Sequence, residues 1–150
     1  MWLDAILAYL HFTAIFVLFA FLTVQAVLLR TPLDERGVRL LGRMDIWYFG
    51  SAAAALITGF LRAGAGAKGG DFYFGSWPIY VKIGLFLAVG MISVYPTLAF
   101  IRWRRSIEHG GDWTVPADEQ ARIRKLVMLE VHLAALIPVF AVIMARGLGT

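Results

Sequence analysis

The chain has 150 residues, of which 60% are hydrophobic, 16% are charged and none is cysteine, and its formal net charge is +4. A soluble domain carries about a quarter charged residues, so this composition, with a mean hydropathy of +0.74, excludes an ordinary soluble protein and implies an integral membrane protein of one domain, residues 1–150. The lack of cysteine removes disulfides, thiolate metal sites and a thiol nucleophile, and the basic residues flank apolar segments, where lipid and orientation account for them without a nucleic-acid partner.

Residues 5–29 form the first apolar segment, interrupted by His11, Thr13, Thr23 and Gln25. It lacks a basic start and a small-residue cleavage site and is too long for a signal-peptide core, which predicts a retained helix. In the basic loop that follows, Thr31-Pro32 is expected to start a short interfacial helix. Asp45 opens the second segment, residues 46–61, whose Gly50 and Ala52 to Ala55 allow close approach of a neighbouring helix. Residues 62–77 are rich in glycine and predict an exposed loop.

The third segment, residues 79–101, holds about 23 mostly apolar residues, enough to cross a hydrocarbon core of about 30 Å. Lys82 lies one turn inside it, where an ammonium costs about 2 to 3 kcal/mol. Either it snorkels to the interface beside Trp77 and Tyr80, or it marks a polar site within the bundle. Pro96 predicts a kink. A polar stretch follows, with a Gly110-Gly111 turn, a solvated His109 and a capping signal at Asp118. Residues 126–145 form the fourth segment and contain Glu130, His132 and Pro138.

These segments predict an all-α, integral membrane four-helix bundle. The first and third connections carry Arg30, Arg36, Arg39, Arg43, Arg102, Arg104, Arg105, Arg122, Arg124 and Lys125, while the middle one carries Arg62 and Lys68. The positive-inside rule therefore places both termini outside, in a multi-pass protein of a bacterial inner (plasma) membrane.

Helical phase at about 100° per residue then sorts the polar groups. His11, Ile15, Leu18, Leu22 and Gln25 share one stripe of the first helix, and Lys82, Val89, Ser93, Pro96 and Phe100 share one of the third; both are expected to face inward. Glu130 and His132 lie on nearly opposite faces of the fourth helix, so only one of them points squarely into the bundle. The outer half collects His11, Lys82, Arg62 and Arg146. The inner half collects Gln25, Asp45, Tyr48, Tyr95, Glu130 and His132, with Arg43 at its edge.

An imidazole within a four-helix bundle suits haem iron. His11, with Phe12, Phe16 and Phe19 near it, is the first candidate axial ligand, the alternative being a histidine hydrogen-bonded to a neighbouring helix. His132 is the candidate second ligand, although about 12 Å separates the two along the membrane normal. Lys82, Arg146 and Arg62 would make the outer half anion-seeking, suited to porphyrin propionates or an acidic head, or Arg62 and Arg146 serve as interfacial anchors. Asp45, Glu130 and Arg43 suggest an inner ion-pair network or a proton path.

The first-helix Tyr9-Leu10-His11, the run from Val81-Lys82-Ile83 to Tyr95, and Leu129-Glu130-Val131 resemble the four-helix HemJ-type protoporphyrinogen oxidases. That resemblance implies a haem ligand at His11 and an essential lysine at Lys82. The family's proline-arginine pattern is absent at residues 24–30, and its Asn-Glu-x-Pro pattern reads Leu129-Glu130-Val131-His132 here. The chain is also similar to uncharacterised bacterial four-helix membrane proteins.

The expected function is that of a b-type haem-binding membrane protein with a redox role, porphyrinogen oxidation or electron transfer. His11 and His132 would be metal ligands, Lys82 and Arg146 would hold the cofactor, and Lys82 and Glu130 would be catalytic; a quinone or porphyrin would be the ligand, and small-residue faces suit a homodimer. The alternatives are a small proton-coupled transporter or channel, in which His11, Lys82, Asp45, Glu130 and His132 form a relay, and a structural subunit without cofactor.

Overall fold

The computed structural model describes residues 2–65, 74–109 and 113–148. Four long helices make up the fold: α1 Trp2–Leu28, α2 Glu35–Ala65, α3 Trp77–Glu108 and α4 Ala117–Ala145. The described residues contain no strand. With 27, 31, 32 and 29 residues, the helices are about 40 to 48 Å long at a rise of about 1.5 Å per residue. Each is long and apolar enough to cross a membrane, so the chain is an all-α, four-helix membrane bundle.

α2, α3 and α4 outrun their apolar segments, because leaving hydrocarbon does not end a helix whose polar turns are themselves well paired. Glu35 and Arg39 form an ion pair in α2, Arg104 and Glu108 pair at 2.8 Å in α3, and Asp118 and Arg122 pair at 2.9 Å in α4, all with i,i+4 spacing. The separate interfacial helix expected at Thr31-Pro32 is instead the start of α2. Asp34 Oδ1 accepts the Gly37 backbone N–H at 2.7 Å, capping the first turn, and the helix then runs unbroken from Glu35. Asp118 is not the cap of α4; that position is Pro116, and Asp118 sits inside the first turn. Pro96 and Pro138 are accommodated within continuous helices. The glycines at 66, 69 and 70 and the Gly110-Gly111 turn lie outside the described residues.

The chain folds as two helical hairpins. α1 packs along α2 and α3 along α4, while α2–α3 and α1–α4 contacts join the hairpins and leave α1 diagonal to α3. One end of the bundle therefore holds both intra-hairpin connections; it is called the hairpin end below. The other, the terminal end, holds both chain termini and the α2–α3 connection.

Packing is concentrated towards the hairpin end, where Leu22, Leu29, Val38, Leu41, Phe100, Trp103 and Val127 are fully enclosed. Phe16, Met91, Tyr95 and Val142 lie on the outer surface, as side chains facing lipid would. Gln120 of α4 ties the hairpins together: its Nε2 donates to the Leu29 carbonyl at 3.2 Å and to the Thr31 carbonyl at 2.7 Å. Both carbonyls belong to the turn that leads out of α1.

Candidate functional site

Two polar groupings stand at different levels of the bundle. The deeper one is centred on Glu130 of α4, which is 1% exposed and projects from the middle of a membrane-spanning helix. The stripe geometry explains its placement, since Val127, Glu130 and Ala134 follow one another at i,i+3 and i,i+4 spacing and all are buried.

Opposite Glu130, α3 presents Ser93 and α2 presents Tyr48. Ser93 Oγ lies 2.8 Å from Glu130 Oε2, 2.7 Å from the Val89 carbonyl oxygen and 2.9 Å from the Tyr48 hydroxyl. The Tyr48 hydroxyl is itself 3.5 Å from Glu130 Oε2. Glu130 Oε1 is buried and meets no hydrogen-bond partner. Asp45, one turn before Tyr48 on α2 and 7% exposed, accepts from the Gln25 side-chain amide of α1 at 3.5 Å.

All partners in this grouping are neutral or acidic. The ion pairs among the described residues are Arg39–Glu35, Arg102–Glu119, Arg104–Glu108 and Arg122–Asp118, all in the helix extensions beyond the apolar segments. Arg43 is exposed and belongs to none of them. The ion-pair network suggested for Asp45, Glu130 and Arg43 is thus replaced by hydrogen bonds to uncharged side chains.

The second grouping lies towards the terminal end. His11 of α1 is half-buried against α2, where its Nδ1 is 3.0 Å from the Ala55 carbonyl oxygen and 3.2 Å from Thr58 Oγ1. A carbonyl only accepts, so Nδ1 carries a proton and, in the neutral ring, Nε2 keeps its lone pair. Thr58 directs its own hydroxyl to the Ala54 carbonyl at 2.6 Å and can accept from the imidazole. Gly59 makes this approach possible, because a Cβ there would come within 3.0 Å of His11 Cε1.

Arg62, four residues beyond Thr58 on the same face of α2, has its guanidinium 5.3 Å from the centre of the Phe12 ring. Its Nε is buried without an acceptor. Lys82 on the adjacent α3 is half-buried at the same end of the bundle.

The structure thus sets His11 and Arg62 at neighbouring turns of α2, with Lys82 on the adjacent α3 at the same end of the bundle, and leaves out His132 and Arg146. His132 is exposed on the outer face of α4, its Nδ1 donating to the Met128 carbonyl of its own helix at 2.6 Å. It does not face His11, and the physical reason is the two-residue offset from Glu130, which turns it to the opposite side. Arg146 is exposed just past the end of α4. Phe12 and Phe16 do not wall a cavity around His11, since both lie largely on the outer surface. Among the described residues, no three histidine, aspartate or glutamate side chains gather as metal ligands would.

Sequence reasoning noted Tyr48 and Ser93 without connecting them to Glu130, and it missed Thr58 and Gln120. A signal for Thr58 was available in its i,i+4 spacing to Arg62 and in the small residues around it.

A family model described as a predicted membrane protein matches residues 3–149. No curated protein and no solved structure matches the chain. Four membrane-spanning helices and a match over nearly the whole length agree, and the chain belongs to the DUF2214 family of predicted membrane proteins.

Proposed function

We propose that this protein is a small proton-coupled transporter or channel in which the buried Glu130 carboxyl takes up and releases the proton. Intramembrane carboxyls without a cationic partner are typical of proton relays. The observation that supports the assignment is the position of Ser93. Its one hydroxyl proton has two acceptors in reach, the Val89 carbonyl at 2.7 Å and Glu130 Oε2 at 2.8 Å.

When Ser93 donates to Val89, the short contact to Glu130 requires the carboxyl to carry the proton and donate it. When Glu130 has lost its proton, Ser93 turns and donates to the carboxylate. Tyr48 donates to Ser93 Oγ in both arrangements, so rotation of one hydroxyl accompanies each proton exchange without any group losing its partner. Gln25 and Asp45 continue this polar region towards the hairpin end. There the basic connections imply a cytoplasmic side in a bacterial plasma membrane.

The test is proton flux in proteoliposomes carrying a pH-sensitive dye, driven by an imposed membrane potential. The native chain should dissipate the gradient, and Glu130→Gln, which keeps the shape and neutral hydrogen bonds, should slow it at least tenfold. Equal flux from both proteins, or none from the native chain, would defeat the proposal.

A second reading, a redox protein holding b-type haem, draws on His11. An imidazole whose Nδ1–H is fixed by a backbone carbonyl is oriented as metal-bound histidines are. One axial ligand fits this arrangement; His132, on the outer face of α4, does not supply the second. Lys82 and Arg62 would hold the propionates, and the haem would provide one-electron chemistry. An absorption spectrum of the purified, haem-supplied protein with a Soret band lost in His11→Ala would establish it, and a colourless protein would exclude it.

A further inference from the structure

We propose that His11, Arg62 and Lys82 form a binding site for a phosphoryl oxyanion at the terminal end of the bundle, where the apolar segments of α2 and α3 meet the membrane boundary. Three helices each supply one nitrogen-bearing side chain to this place. Arg62 and Lys82 stand on the adjacent helices α2 and α3 at the same end of the bundle, and no carboxylate among the described residues forms an ion pair with either. Two cations held half-buried at the edge of hydrocarbon, with no ion-paired anion among the described residues, are unfavourable. An anion entering between them supplies the missing partner.

The details favour an oxyanion of phosphate type. Arg62 Nε is buried with no acceptor, and the guanidinium carbon lies 5.3 Å from the centre of the Phe12 ring, which holds the N–H fork at this level of the bundle. A planar fork beside a point-charge ammonium is the donor set that phosphoryl oxygens take. His11 closes the side nearest α1: its Nδ1–H is committed to Ala55, so Nε2 can accept the proton of a phosphate monoanion or, when protonated, donate to an ionised one. Such a group can come from a lipid phosphodiester in the same leaflet or from a phosphate in the aqueous phase. The site stands apart from Glu130 and does not rest on the proton reading.

The experiment has two arms, one for each source. Native mass spectrometry after purification from vesicles of phosphatidylcholine with phosphatidylglycerol reads retention of the anionic lipid. Binding of radiolabelled inorganic phosphate to the protein in discs of phosphatidylcholine alone reads a soluble ligand. One arm should give saturable binding, weakened at least tenfold in Arg62→Gln and in Lys82→Gln and unchanged in Arg122→Gln, whose native residue pairs with Asp118 at the hairpin end. Arg62→Lys, which keeps the charge and the fold but loses the planar fork, should weaken it several-fold. Binding in neither arm, or binding that these three variants at Arg62 and Lys82 leave unchanged, would overturn the proposal.

Discussion

The two ends of the bundle solve the problem of polar groups in a membrane in opposite ways. Towards the hairpin end, Gln25, Asp45, Tyr48, Ser93 and Glu130 are nearly fully enclosed, and they hydrogen-bond one another, Glu130 Oε1 alone excepted, inside the most tightly packed part of the molecule. Towards the terminal end, His11, Arg62 and Lys82 are only half-buried, two of them are cations, and the Arg62 guanidinium packs beside a Phe12 ring open to the surroundings. A closed network suits a group that exchanges a proton without moving. An open one suits a ligand that comes and goes.

That contrast can be broken most strongly through the packing itself. Leu22 is fully enclosed whereas Phe16 is 74% exposed, so Leu22→Ala should cost about 2 to 5 kcal/mol through cavity formation. Phe16→Ala should change stability by less than about 0.5 kcal/mol; thermal unfolding in one detergent compares them directly. Comparable losses would mean that the core is not concentrated at the hairpin end.

A smaller effect is expected within the closed network. Tyr48→Phe removes one hydroxyl from a buried chain and should destabilise by about 1 to 3 kcal/mol, while Tyr95→Phe, on the exposed face of α3, should be neutral. Denaturant titration followed by tryptophan fluorescence reads both.

The least disruptive change, Gly59→Ala, crowds His11 by a Cβ only 3.0 Å from its ring and should cost about 1 kcal/mol or less. It should also shift the imidazole NMR signals of His11 and leave those of His132 in place. A His11 spectrum indifferent to it would mean that the ring does not rest on α2.

Much of this arrangement was legible before any coordinates. Four apolar segments imply four helices because backbone groups in lipid must be satisfied within each segment, and the α1 stripe through Leu18, Leu22 and Gln25 is buried as its spacing implies. The opposition of Glu130 and His132 was equally readable, but which of them faces inward was not, because hydropathy ranks both as polar. Packing decides it, since Val127 and Ala134 flank Glu130 on the buried face while Leu129 and Leu136 share the outer face with His132. The lengths of the helices were hidden because ion pairs extend them past the apolar runs. The partnership of Tyr48, Ser93 and Glu130 joins residues 45 and 37 positions apart, a register between helices that no single segment encodes.

The Gln120 amide has a mechanical consequence. By holding the carbonyls that follow α1 from α4, it pins the turn after α1 to the first turn of α4, at the hairpin end and with a link that no change of pH can remove. The bundle is then clamped, as a pair of tweezers is, where the hairpins turn. Any opening and closing of α1 against α4 would pivot at that clamp, giving the smallest displacement beside the carboxyls and the largest beside the three basic side chains.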